Sequence, residues 1–138
     1  MIRKGLIGDA ERIAEIFSET LTPWSVAGVL ASIEKDYCLV SENEKVDGVI
    51  FISRAADECE VLNFAVDKSR RGKGIGALLL KEALSGEFTE KADVFLDVRE
   101  SNEPAIHLYK KFGFKEISVR KNYYTNPTEN AVIMKLER

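Results

Sequence analysis

The stretch VDKSRRGKGIGALLLKEAL, residues 66–84, decides how this chain is read. It continues CEVLNFAV (59–66), a run too continuously apolar for an edge strand, and passes into leucines at helical spacing. Between strand and helix lie Gly72, Gly74 and Gly76. Bare of side chains, they let a ligand approach the first-turn N–H groups, which have no intrahelical partner. The helix dipole adds roughly half a positive charge there. Lys68, Arg70, Arg71 and Lys73 surround the same point with formal charge. Isolated glycines would mark only a solvated connection; their coincidence with cations and a helix start predicts an anion site whose natural guest is a pyrophosphate. A P-loop does not fit, because Gly76 is followed by Ala77 and Leu78, with no hydroxyl for magnesium. A dinucleotide loop fits poorly, since Arg71 to Gly76 lacks the Gly-x-Gly-x-x-Gly spacing.

Working outward, 138 residues at 45% apolar content suffice for one packed domain, taken as 1–138. A formal charge of −3 argues against a nucleic-acid binder with a broad basic surface, so the anion site must be local. Cys38 and Cys59 sit in apolar, strand-like stretches, which fits buried thiols in a reducing compartment better than a disulfide or metal cluster. No run approaches a membrane span and MIRKGLIGD lacks a signal-peptide core, so a cytoplasmic protein without membrane contact or metal is expected, as monomer or homodimer.

After a first short strand, Asp9 is expected to cap a helix with Ala10, Ile13, Ala14 and Phe17 at helical spacing. A second helix begins at Ser25 or Trp24, with Val26, Val29, Leu30 and Ile33 on one face. YCLVSE (37–42) and GVIFIS (48–53) read as an antiparallel hairpin around the turn residues 43–48. ADVFLDV (92–98) starts a second strand–helix unit, with Pro104 early in its helix and Gly113 ending it. FKEISVRKNYY and NAVIMKLE close the chain as a hairpin. The predicted architecture is α/β (α+β): a mixed sheet with helices on its faces.

These residues resemble the GNAT superfamily of acetyl-CoA-dependent N-acetyltransferases, whose signature Arg/Gln-x-x-Gly-x-Gly/Ala matches Arg71 to Gly76. SNEPAIHLYKKFGF (101–114) resembles the family's second hallmark, in which an asparagine contacts the cofactor and a tyrosine faces the thioester sulfur; here these are Asn102 and Tyr109. TPWS (22–25), LDVRESN (96–102), RKNYY and AVIM extend the resemblance, most strongly toward the ribosomal-protein alanine N-acetyltransferases and related subunits that modify protein amino termini. The resemblance implies a mostly antiparallel sheet in which two parallel strands, CEVLNFAV and ADVFLDV, splay apart to admit pantetheine. Main-chain groups of Asn63, Phe64, Ala65 and Val66 would pair with that arm, while Arg71, Gly72, Lys73, Gly74, Ile75, Gly76 and Ala77 hold the diphosphate. One main-chain N–H would polarise the acetyl carbonyl, a contribution of roughly 3 kcal/mol.

The implied reaction is direct attack of a neutral amine on a thioester in a ternary complex. An α-amino group, with an ordinary pKa near 7.7–8.0, is neutral in roughly one molecule in ten at pH 7, so a modest base suffices. A lysine amine near 10.4 has a neutral fraction several hundred times smaller, which favours amino-terminal acceptors. Asp97 is the candidate base, acting through water, where relatives place glutamate or histidine; it could instead cap the next turn or pair with Arg99. Glu60 on the preceding strand is the alternative base. Tyr109 is the candidate acid, although ordinary packing with Ile106 and Phe112 would also explain it. His107, beside Lys110 and Lys111, reads as solvated. Trp24, Tyr123 and Tyr124 are candidate walls of a peptide groove, with a buried anchor and an exposed hairpin edge as the plainer alternatives. Asn130 stands where relatives tend to carry an acid, with Glu129 before it. A small-amine acetyltransferase and a non-catalytic acetyl-CoA module remain the competing functions.

Overall fold

A computed structural model describes residues 1–138. Its strands are β1 (Ile2–Lys4), β2 (Tyr37–Asn43), β3 (Lys45–Ala55), β4 (Glu58–Val66), β5 (Asp93–Arg99), β6 (Lys115–Tyr124) and β7 (Glu129–Leu136). Its helices are α1 (Ala10–Ser18), α2 (Val26–Lys35), α3 (Ile75–Ser85) and α4 (Glu103–Lys111). The strands form one mixed sheet in the order β1-β2-β3-β4-β5-β7-β6, antiparallel throughout except for β4 against β5. This is the expected α/β architecture. No helix is long and apolar enough to cross a membrane.

The parallel pair positions the site. Pairing covers only Glu58–Glu60 against Asp93–Phe95. Beyond it, β4 stays with β3 as far as Gly48↔Val66, while β5 stays with β7 as far as Arg99↔Ala131. A bulge supplies the local cause: Phe51 pairs with Asn63 but Ile52 with Val61, which leaves Leu62 as an extra residue in β4. Such an insertion bends and twists its strand. It falls two residues past the last β4–β5 contact, so β4 and β5 part there and a gap opens between them.

The two sheet faces bury separate cores. Leu79, Leu80 and Ala83 of α3 and Tyr109 of α4 pack with Ile50, Ile52, Val61, Leu96 and Met134. On the other face Ile13, Ile16 and Phe17 of α1 and Val29 of α2 meet Val40, Val49, Phe51 and Ala65. Both cysteines are buried free thiols, and burial pushes Cys38 up to about 12.

Three local expectations are corrected. Asp9 does not cap α1 with its side chain; its carboxylate accepts both outer nitrogens of Arg3 at 2.9 Å and the Leu6 N–H at 2.8 Å. The buried face of α2 is Val29 and Ser32, with Val26 and Leu30 exposed, because the helix lies at the rim of the α1 core. Ser25 caps it, accepting from Gly28 N. The β2–β3 turn is tighter than 43–48. Glu44 alone reverses the chain at φ 70°, Asn43 pairs with Lys45, and Val46 and Asp47 enter the strand and are buried. A bulge between Ser41 and Glu42 absorbs the register change.

Candidate active site

The gap between β4 and β5 opens into a cleft of about 990 Å³. At one end stands the start of α3. Gly72 and Gly74 adopt φ of 81° and 79°, the left-handed region that disfavours side chains, and a Cβ built on either would meet nothing within 4 Å. Gly74 occupies the N-cap position with no side-chain cap, so the first-turn amides of α3 lack a side-chain acceptor. Gly76 is helical, and a Cβ there would meet Phe64, Val66 and Leu108 at 3.5, 3.7 and 3.8 Å, ordinary contact distances. Arg70 and Arg71 line this end, with Arg70 reaching Glu44 at 3.7 Å. A helix N-terminus with two arginines and no capping side chain suits a diphosphate. Lys73 and Ala77 lie beside it but do not line the cleft.

Along the middle runs the freed edge of β4. The Phe64 N–H is taken by the Asn63 side-chain carbonyl at 3.0 Å, and the Val66 carbonyl by Arg71 Nε at 3.3 Å. Main-chain groups two residues apart address the same neighbour, so both belong to the edge that β5 has left. They match a strand-like extended ligand arm, and each carries a side-chain partner that such an arm would replace. Opposite, Asn102 lines the cleft and caps α4, its side-chain carbonyl accepting from Ala105 N at 3.3 Å.

Tyr109 enters from α4. Its ring packs 5.6 Å from Phe114 and 6.3 Å from Phe64, and the residue is 7% exposed. The hydroxyl has no protein partner yet is not among the fully buried unpaired atoms, so it keeps access to the cleft. Burial, with a smaller push from Tyr124, raises the phenol well above its ordinary value. It is therefore a proton donor across the physiological range.

Asp97 and Glu60 face the same space. Asp97 lines the cleft without a hydrogen bond or ion pair; Arg99, its alternative partner, bonds instead to Thr125, Pro127 and Glu129. Burial lifts the Glu60 carboxyl, repulsion from Asp97 lifts it further, and Arg120 opposes both. Two carboxylates lining one cleft, with Glu60 lifted by burial and by its neighbour, suit reception and deprotonation of an ammonium group.

At the other end, Tyr123 and Tyr124 line the wall, stacked edge to face at 5.1 Å. Burial, aided by Asp97 and Tyr123 and opposed by Arg99, pushes Tyr124 up to about 12. Trp24 is not part of this wall. It packs 5.4 Å from Phe17 and 5.2 Å from Phe51, and borders a second hollow of about 510 Å³ outside α2 that shares only Leu62 with the cleft. Glu19–Thr22 also lines the cleft, and of this segment the sequence pointed only to Thr22, within TPWS. Asn63 ties this segment down, accepting from Thr22 Oγ1 at 3.3 Å and donating to the Thr22 carbonyl at 3.1 Å. The clustered Thr20 and Thr22 hydroxyls were its available signal. Arg99, also lining the cleft, stood out in the sequence only within LDVRESN and as a possible partner of Asp97.

Comparison with known proteins agrees with this geometry. The acetyltransferase (GNAT) family matches residues 10–114. The chain is 38% identical over 135 residues to the [ribosomal protein bS18]-alanine N-acetyltransferase of Haemophilus influenzae, covering 91% of this chain and 90% of that protein. Its fold matches the crystal structure of the ribosomal-protein-S18-alanine N-acetyltransferase from Escherichia coli with TM-score 0.88 and 29% identity, over 100% of this chain and 94% of that one. It also matches Ard1 from Thermoplasma volcanium with TM-score 0.87 and 31% identity, over 98% and 95%. A splayed parallel pair, an anion cradle at the head of α3 and a family match spanning most of the sequence lead to one conclusion: this chain belongs to the GNAT family and is an acetyl-CoA-dependent N-acetyltransferase.

Proposed function

We propose that the acceptor is the α-amino group of a protein amino terminus, of the ribosomal-protein alanine type, acetylated by direct attack in a ternary complex. The observation that carries this is the pairing, in one cleft, of an unpartnered Asp97 carboxylate with an unpartnered hydroxyl on Tyr109. Acetyl-CoA supplies a thioester-activated acyl group; the residues supply the rest. The head of α3, with Arg70 and Arg71, holds the diphosphate, the Phe64 and Val66 main chain and Asn102 orient the arm, and the Phe64 N–H is the donor for the acetyl oxygen. Asp97, with Glu60 as the alternative, takes the ammonium proton through water, and Tyr109 donates to the departing thiolate. Weak carboxylate bases suit an α-amine near 7.7–8.0 far better than a lysine near 10.4. Tyr123, Tyr124 and the 19–22 segment flank the acceptor's first residues. The Haemophilus influenzae and Escherichia coli relatives, both ribosomal-protein alanine N-acetyltransferases, support this choice of acceptor. Buried free thiols fit a cytoplasmic setting.

Acetyl transfer to alanine- and serine-initiated peptides, amino-blocked lysine peptides and polyamines, followed by mass spectrometry, tests the reading. The expected result is one acetyl group on the free amino terminus. Acetylation of polyamines alone overturns it.

A further inference from the structure

Arg99 takes no part in the mechanism above, yet it is 7% exposed, lines the cleft and lies on β5 two residues past Asp97. Its guanidinium carbon sits over the Tyr124 ring, 4.5 Å from the centroid. Nη1 donates to the Pro127 carbonyl at 2.9 Å and to Glu129 Oε1 at 3.1 Å, and Nη2 to the Thr125 carbonyl at 3.2 Å. One rigid group thus fixes the ring on its face and the β6–β7 connection at its edge. Glu129 extends the link, because its other oxygen accepts the Ser101 N–H at 2.7 Å, one residue before the Asn102 cap of α4. The Ser101 bond, ahead of Arg99, holds the Glu129 carboxyl below its ordinary range.

Stability alone accounts poorly for this arrangement. A buried ion pair roughly balances its own desolvation, and here Nε remains buried without an acceptor. A planar fork that stacks and donates in fixed directions supplies position, which a lysine or an apolar side chain would not.

We propose that Arg99, working through Glu129, is a positioning residue for acyl transfer: it holds Tyr124 and residues 125–129 as the acceptor wall and locks that wall to the start of α4. The inference rests on the proposed reading of the tyrosine wall as the acceptor side. Arg99 acts on the acceptor half, because its bonds go to the β6–β7 connection. Glu129 acts on both halves, because it also holds Ser101.

The test compares Arg99→Met, Arg99→Lys and Glu129→Ala with the parent enzyme. Substrate constants for an alanine-initiated peptide and for acetyl-CoA are measured beside amide hydrogen exchange over 124–130 and thermal unfolding. Arg99→Met is expected to raise the peptide KM about tenfold or more, with kcat and the acetyl-CoA constant within about twofold. Exchange over 124–130 should quicken. Arg99→Lys should fall between, and Glu129→Ala should weaken both substrates. If Arg99→Met does not fold, Arg99→Lys and Glu129→Ala decide by the same pattern. A peptide KM unchanged in a folded variant, or a loss confined to kcat that tracks the folded fraction, overturns the proposal. Should the parent enzyme acetylate no peptide, the amino-terminal reading fails on its own; unchanged exchange over 124–130 would then overturn the clamp, and quickened exchange would uphold it.

Discussion

Tyr109 has its ring held between Phe64 and Phe114 and its hydroxyl free at the cleft, so removing that oxygen alters chemistry and leaves packing intact. An ordinary phenol near 10 facing a thiolate near 8.5 already makes full proton transfer uphill by about 2 kcal/mol, and burial raises the phenol further. Under the proposed mechanism its contribution is a hydrogen bond to developing charge, worth about 1.5–3 kcal/mol. Tyr109→Phe should cut kcat about 10- to 100-fold while leaving the acetyl-CoA dissociation constant nearly unchanged. Single-turnover rates and calorimetry check both halves, and an unaltered rate removes Tyr109 from the mechanism. Glu60 offers a second handle. Burial and the Asp97 charge both raise it, so Asp97→Asn should move the Glu60 titration to lower pH. Carboxyl carbon NMR reads that midpoint, and a midpoint that stays put would show that the two acids do not share a field.

Strand β4 does the most at the scale of elements. The bulge at Leu62 parts it from β5, its freed edge carries the Phe64 and Val66 groups, and its end leads through Asp67 into the turn before α3. Asp67 accepts from Ser69 N at 3.0 Å, from Ser69 Oγ at 3.1 Å and from the Arg12 guanidinium of α1. These partners, the Ser69 amide foremost, hold its carboxyl at about 2. A carboxyl depressed on folding stabilises the native state above its unfolded value near 3.9, and the benefit fades as pH falls toward 2. Asp67→Asn should thus cost about 1–3 kcal/mol near pH 7, with the gap from the parent shrinking below about pH 4. Urea unfolding at several pH values measures this; a pH-independent gap contradicts it. Helix and strand order was legible because periodicity and the glycine, proline and serine punctuation are local. The splay was legible only through the family resemblance, since the bulge that produces it depends on how β3 and β4 register. Trp24 was misplaced for a similar reason: its sequence neighbourhood borders the cleft, but its ring turns inward to Phe17 and Phe51. The Arg99–Glu129 pair joins residues thirty apart, a separation that carries no local signal.

Across the whole molecule, charge is divided along the cleft. The chain carries a net −3, yet Arg70 and Arg71 gather at the head of α3, while Glu19, Glu60 and Asp97 line the remainder toward Tyr123 and Tyr124, where Arg99 is paired with Glu129. An anion is drawn to one end and an ammonium to the other, and the splayed strands join the two. The fold's contribution to catalysis is this alignment, with α3 and α4 on one face and α1 and α2 on the other fixing the strands on either side of the gap. The alignment requires that the uncapped amides of α3 hold the diphosphate of acetyl-CoA. Gly76→Asp isolates that contact, because a Cβ is sterically accommodated there, an acidic residue suits a first helical turn, and its carboxylate would repel the diphosphate. Calorimetric titration with acetyl-CoA should show one saturable site in the parent chain and none in a folded Gly76→Asp; a parent chain that takes up no acetyl-CoA, or a variant that binds it as tightly, would contradict the account.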